Sequence, residues 1–231
     1  MSTNDLQNTQ ERFTQLALEY GALKFGQFTL KSGRISPYFF NAGLLNTGKA
    51  LATLGSCYAD VIATAIQAEG LEVDVIFGPA YKGIPLAAVT SAALWNDHRI
   101  DLPYAFNRKE AKDHGEGGSI VGAEVTGKVL VIDDVITAGT AIREAADIIH
   151  ALGAELGGVI IAVDRQERAP DESQESGLAE MSAVQSVEAE YQIPVMNILS
   201  LESLINLIQA DDSRQEDLLA MQNYQSRYGI S

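Results

Sequence analysis

The chain has 231 residues, 46% of them hydrophobic and 20% charged, the make-up of a globular protein large enough to bury a sizeable core. Sixteen Lys and Arg stand against 31 Asp and Glu, a net charge of −15, which argues against nucleic acid or an anionic membrane as the main partner. Cys57 is the only cysteine, the start of the chain is polar, and no apolar run is long enough to span a bilayer; the expectation is a cytoplasmic protein without disulfides or a cysteine metal site.

Leu6, Phe13, Leu16, Ala17 and Tyr20 line one face of a helix predicted over residues 5–20, which Gly21 ends. Phe28 to Arg34 reads as a short strand and a turn containing Lys31. Ser36-Pro37-Tyr38-Phe39-Phe40-Asn41 is a second extended piece. Three aromatics in a row stand out where only 7% of residues are aromatic. They fit a hydrophobic hairpin packed on the core, or a hood whose ring face stacks on a flat heterocycle. Composition alone favours the first. Residues 47–68 predict a long helix buried through Leu51, Leu54, Tyr58, Val61, Ile62 and Ala65, with Cys57 as a buried thiol. Val73–Phe77 is the next strand. Gly78-Pro79-Ala80-Tyr81-Lys82-Gly83 is a tight turn into a helix running from Ile84 to about Trp95. Glycines flanking a lysine at a strand end suit close approach of backbone to a diphosphate; a plain turn with a surface lysine is the simpler reading.

Leu102–Phe106 is a short strand with Pro103 near its start. Asn107 to Gly118 then gathers Arg108, Lys109, Lys112 and His114 among glycines and carboxylates. A solvated loop and a mobile lid closing over an anion both fit that composition. Val129 to Ile132 is four apolar residues, three of them β-branched, the pattern of a buried parallel strand. Asp133-Asp134-Val135-Ile136-Thr137-Ala138-Gly139-Thr140-Ala141 follows, and Ile142, Ala145, Ala146, Ile149 and Leu152 continue at helical spacing up to Gly153. Free N–H groups at such a turn and helix start hold a phosphate, with Thr137 and Thr140 adding hydroxyls. Asp133 and Asp134 repel phosphate; they suit sugar hydroxyls or a phosphate-bound Mg²⁺. Leu156–Val163 is another buried strand ending at Asp164-Arg165. Arg165 suits a bidentate grip on a carboxylate, or a salt bridge to Asp164 or Glu167. Residues 169–180 read as an exposed polar loop. Met181–Tyr191 is helical, Val195–Leu199 a last strand, and two helices start at Leu201 and Arg214. His98 and His150 lack ligand-like neighbours and are expected at the surface or at helix ends.

The stretch 129–141 resembles the 5-phosphoribosyl 1-diphosphate (PRPP) signature of type I phosphoribosyltransferases, in a strand-to-helix setting that makes a mere capped turn the minority reading. Phe28-Thr29-Leu30-Lys31-Ser32-Gly33-Arg34 followed by Ser36 to Asn41 resembles the N-terminal signature of the orotate-specific members. The resemblance covers nearly the whole chain, in four segments in order. It implies a parallel α/β sheet with helices on both faces, in one domain over 1–231, with an N-terminal hood from 1–45 and a mobile catalytic loop over 107–120. It implies PRPP contacts at Lys31, Tyr81, Lys82, Arg108, Lys109, Lys112, His114 and 133–141, with Arg108, Lys109, Lys112 and His114 in the catalytic loop. Phe39, Phe40, Thr137 and Arg165 match orotate contacts. A non-proline cis bond at Ala80–Tyr81, Mg²⁺ carried mainly on PRPP, and a homodimer sharing its sites across subunits are implied as well. The implied reaction transfers phosphoribose to orotate.

Two neighbouring readings have distinct signatures. A purine-specific relative should lack the Phe39-Phe40 pair and the Arg165 grip. A PRPP-sensing regulator should lack the basic loop. A dinucleotide-binding domain is disfavoured, since no Gly-x-Gly-x-x-Gly follows a strand.

Overall fold

The computed structural model describes residues 3–30, 33–109, 119–171, 174 and 177–230. Lys31, Lys112 and His114 lie outside them. Helix α1 (Thr3–Glu19) leads into an antiparallel hairpin, β1 (Leu23–Thr29) and β2 (Ile35–Phe40), with Leu23 opposite Phe40 and Thr29 opposite Ile35. Helix α2 (Gly48–Ala68) starts where the Thr47 hydroxyl accepts from Ala50 N, a side-chain cap for an otherwise orphaned donor. Then come β3 (Val75–Phe77), α3 (Gly83–Ala93), β4 (Tyr104–Asn107), β5 (Ile120–Gly122), β6 (Lys128–Val135), α4 (Thr140–Ala151) and β7 (Glu155–Asp164). The chain closes with β8 (Arg168–Pro170), β9 (Leu178–Ser182), α5 (Ala183–Tyr191), β10 (Val195–Ser200), α6 (Leu201–Gln209) and α7 (Gln215–Tyr228).

Six strands form the central sheet in the order β10-β7-β6-β3-β4-β5. All neighbours run parallel except β5, which pairs antiparallel with β4 at the edge. Alternate residues of the inner strands point to opposite faces, and both faces are covered. Ile76, Leu130, Ile132 and Ile160 join α2, α3 and α6 in one core; Val75, Val129, Val131 and Ile161 join α4 and α5 in the other. Burial on both sides is why these strands read as continuous apolar runs.

Three local expectations are corrected. Residues 169–180 are not loop throughout, because β8 and β9 pair antiparallel at their two ends. The helix expected from Met181 begins at Ala183, where Ser182 and Gln185 cap each other's backbone N–H groups at 3.1 and 3.0 Å. Ile120, assigned to the end of the loop, opens the edge strand β5. His98 lies at a helix end, one of the two places expected for it. It ends a π-helical turn, Leu94–His98, with its side chain 12% exposed and its Nε2 2.9 Å from Asp60 Oδ1. Arg12 and Thr9 hold the other oxygen of Asp60 at 2.7 and 2.8 Å. His150 is exposed in the last turn of α4, as expected.

Candidate active site

Between β3 and β6 the chain changes direction across the sheet. From β3 it continues through α3 to β4 on one side; from β6 it continues through α4 to β7 on the other. The two connecting helices lie on opposite faces, so a crevice opens at the carboxyl ends of β3 and β6. Open α/β sheets place ligands at such a point.

One lip of the crevice is the turn 78–83. Its two glycines are back to back: a Cβ on Gly83 would sit 2.6 Å from the Gly78 carbonyl carbon, so no side chain fits. The Ala80–Tyr81 bond is cis, as anticipated. Ala80 N donates to Asn107 Oδ1 at 2.9 Å, tying this turn to the start of the basic segment. Tyr81 stands 67% exposed on the rim, and Lys109 Nζ lies 5.2 Å from its ring centroid. A cavity of about 380 Å³ runs from Pro79 and Ala80 past Arg108 and Lys109 to Ala141 and Glu144 on α4. Arg108, Lys109 and Ala141, expected from two separate segments, thus meet in one hollow with Pro79 and Ala80 of the turn.

The other lip is the end of β6. Asp134 is 4% exposed, and Lys82 reaches across the crevice to its Oδ2 at 2.7 Å. Asp134 Oδ1 accepts from Val135 N at 3.0 Å, and Asp133 Oδ1 from Asp134 N at 2.8 Å. The Tyr58 hydroxyl donates to the Asp133 carbonyl from α2. Burial, reinforced by the adjacent Asp134 charge, raises the Asp133 carboxyl to about 6. Ile136 is buried and anchors the turn, while Thr137, Ala138, Thr140 and Ala141 are exposed. Gly139 precedes α4 with φ +74 and no side chain caps the helix, which suits an external anion at its N–H groups. Arg143 braces the loop from behind, donating to Ala138 O at 2.8 Å and to Glu190 at 2.8 Å.

Arg165 stands just beyond β7. Its Nε and Nη2 lie 2.9 Å from Glu167 Oε1, its Nη2 is 3.4 Å from Ser36 Oγ, and its Cζ is 5.2 Å from the Tyr38 ring centroid. The Glu167 salt bridge left open by the sequence is therefore present, and it sits against the hairpin. Strand alternation separates the two phenylalanines. Phe40 packs on Phe13 of α1 at 5.9 Å; Phe39 lies against Phe28 at 5.6 Å and stays 40% exposed. Phe40 is on the core and Phe39 presents a ring. Sequence reasoning gave no role to Asn107 or Ser36, and read Tyr38 only within the aromatic run and Tyr58 only as helix core. Their partners at the site lie 27 to 129 positions away, beyond any spacing signal.

Among the described residues no helix is long and apolar enough to cross a membrane, and no group of three or more His, Cys, Asp or Glu is placed to hold a metal. Residues 50–192 match the family model described as phosphoribosyl transferase domain. An orotate phosphoribosyltransferase of Stutzerimonas stutzeri is 56% identical over 225 residues, spanning 97% of this chain and all of that one. One from Thioalkalivibrio sulfidiphilus is 58% identical over 96% of this chain and 98% of its own. The solved orotate phosphoribosyltransferase of Francisella tularensis superposes with a TM-score of 0.79 at 44% identity, covering 94% of this chain and 98% of that one.

Proposed function

The chain belongs to the orotate phosphoribosyltransferase family, and from that premise we propose how its residues divide the work. It transfers phosphoribose from PRPP to orotate, giving orotidine 5′-monophosphate and diphosphate in pyrimidine biosynthesis. The observation that carries the assignment of roles is the crevice spanned by Lys82 and Asp134, with the uncapped start of α4 beside it.

The turn from Val135 to Ala141 takes the 5-phosphate on backbone N–H groups and the Thr137 and Thr140 hydroxyls. Asp133 and Asp134 accept from the ribose hydroxyls. The Lys82 side chain is 64% exposed and free to leave Asp134 for the incoming diphosphate. Arg108 and Lys109 line the neighbouring hollow, Tyr81 stands beside Lys109 on its rim, and Lys31, Lys112 and His114 complete the set. As the glycosidic carbon releases diphosphate, negative charge grows on the leaving group. Fixed cations aimed there stabilise the transition state more than the ground state. Arg165 and Thr137 hold orotate by its carboxylate and ring edge, with the exposed ring of Phe39 forming that wall of the hood and Phe40 backing it from the core. No covalent nucleophile is required.

The acidic pair also fits a cation carried by the substrate. Each carboxylate already spends one oxygen on a backbone N–H, which suits a Mg²⁺ bound mainly to diphosphate better than an all-protein cage. Mg²⁺ held that way supplies counter-charge for the leaving group. The same reading makes 1–231 one domain with a hood from 1–45 and a closing loop from 107–120. It also makes the working form a cytoplasmic homodimer with shared sites.

Titration of PRPP with Mg²⁺ tests the cradle. One saturable site per chain is expected in the wild type, with affinity reduced about tenfold or more in Gly139→Val, whose side chain meets a left-handed backbone. Unchanged affinity in that variant would place PRPP elsewhere.

A further inference from the structure

Behind Arg165 lies a second layer of polar side chains with no part in the mechanism above. Glu167 Oε1 takes both Nε and Nη2 of Arg165 at 2.9 Å. Those two nitrogens form one side edge of the guanidinium. Among the described residues Nη1 makes no hydrogen bond, and the arginine side chain keeps 24% of its surface exposed. Nη2 also donates to Ser36 Oγ at 3.4 Å, so Nη1 is the part left to grip a carboxylate from outside.

Glu167 is itself held. Gln166, in the left-handed region at φ +50, turns the chain between the two residues. Its side chain accepts from Glu202 N at 2.8 Å and its carbonyl from Ile230 N at 3.0 Å. Glu167 forms an antiparallel bridge with Gly229. The Tyr38 and Tyr224 hydroxyls are buried close by without a hydrogen-bond partner, and Ser36 is fully buried. The glutamate side chain is only 12% exposed, so its charge is costly unless Arg165 answers it. A surface ion pair would be mobile; this one is walled by the hairpin on one side and the end of the chain on the other.

We propose that Glu167 is a positioning residue for orotate. It takes the side edge of Arg165 and fixes Nη1 toward the substrate carboxylate, and the C-terminal segment at Gly229–Ile230 fixes Glu167. This rests on the assignment of Arg165 to orotate. An arginine already fixed loses less rotamer freedom on binding.

The test is initial-rate kinetics of wild type, Arg165→Ala, Glu167→Gln, Glu167→Asp and the Arg165→Ala/Glu167→Gln double variant, with both substrates varied. The expected result is an orotate KM raised about tenfold in Glu167→Gln, by analogy with outer-shell partners elsewhere, and PRPP KM within about twofold. Glu167→Asp, which keeps the charge, should fall between Glu167→Gln and wild type. In the Arg165→Ala background Glu167→Gln should add nothing, because it acts through that side chain. Wild-type orotate KM in Glu167→Gln, equal rises in both KM values, or an undiminished effect in the double variant would overturn the proposal. If Glu167→Gln does not fold, Glu167→Asp decides it: a rise confined to orotate KM supports the proposal, and a wild-type value refutes it. Wild-type orotate KM in Arg165→Ala would overturn the assignment of Arg165 first, and the proposal with it.

Discussion

At the residue scale the acidic pair makes the sharpest predictions. The carboxyl of Asp133 is raised from 3.8 to about 6 by burial and by Asp134. A raised carboxyl contributes stability below its unfolded value and loses it as pH rises through its folded value. Between pH 4 and 7 this residue should therefore cost the unliganded protein on the order of 2–3 kcal/mol. Asp133→Asn should remove that part of the decline in a denaturant series taken across pH, while PRPP affinity falls. An identical pH dependence in the variant would contradict the buried, charge-opposed placement. Lys82→Met leaves the buried Asp134 carboxylate without its cation and should cost about 1–3 kcal/mol, read from the urea midpoint. Lys112→Ala should lower kcat about 10²–10³-fold with little change in orotate KM, as losing one preorganised charge contact does. Unchanged turnover would remove Lys112 from the chemistry. The acidic pair was legible because neighbouring carboxylates at a strand end have few structural uses. The pairing of His98 with Asp60 was not: the two are 38 residues apart.

At the scale of elements, the β6–α4 connection shows why sequence and structure agree. Val129 to Ile132 are fully buried, so the strand had to be apolar on both faces. Gly139 must adopt φ +74, and a Cβ there would lie 2.9 Å from Arg143 Nη1 and 3.2 Å from Val187 Cγ2. Gly139→Ala should thus cost about 1–2 kcal/mol from the left-handed backbone alone, more if Arg143 cannot yield. Thermal unfolding checks this; an unshifted midpoint would mean the turn relaxes freely. The short strands escaped notice for a physical reason. β5 and β8 have three residues each, fewer than the alternation needed to register as a pattern. The β8–β9 pair also flanks a stretch rich in Ser, Glu and Gly, whose composition speaks for loop. The two phenylalanines of β2 were read as a unit, yet neighbouring strand residues face opposite ways, which is why one packs on α1 and the other stays open.

At the scale of the whole molecule, the strand order makes one crevice the natural place for a ligand, and segments far apart in sequence meet there. The order of motifs could be read along the chain; their convergence required the sheet. The edge strand β5 and the bracing of Arg165 by the chain's end depend on long-range pairing that no local pattern encodes. The proposed dimer predicts that mixing and refolding Lys112→Ala with Arg165→Ala restores activity to about a quarter of wild type. That holds if the loop serves the partner's site and chains pair at random around a two-fold axis. No recovery would confine each site to one chain. The most direct test of the central claim is the loss of orotate absorbance on mixing enzyme, orotate, PRPP and Mg²⁺, with hypoxanthine and adenine in parallel. Orotate consumption dependent on both PRPP and Mg²⁺, with neither purine consumed, is the predicted result. Consumption of a purine, or PRPP binding without turnover of any base, would contradict it.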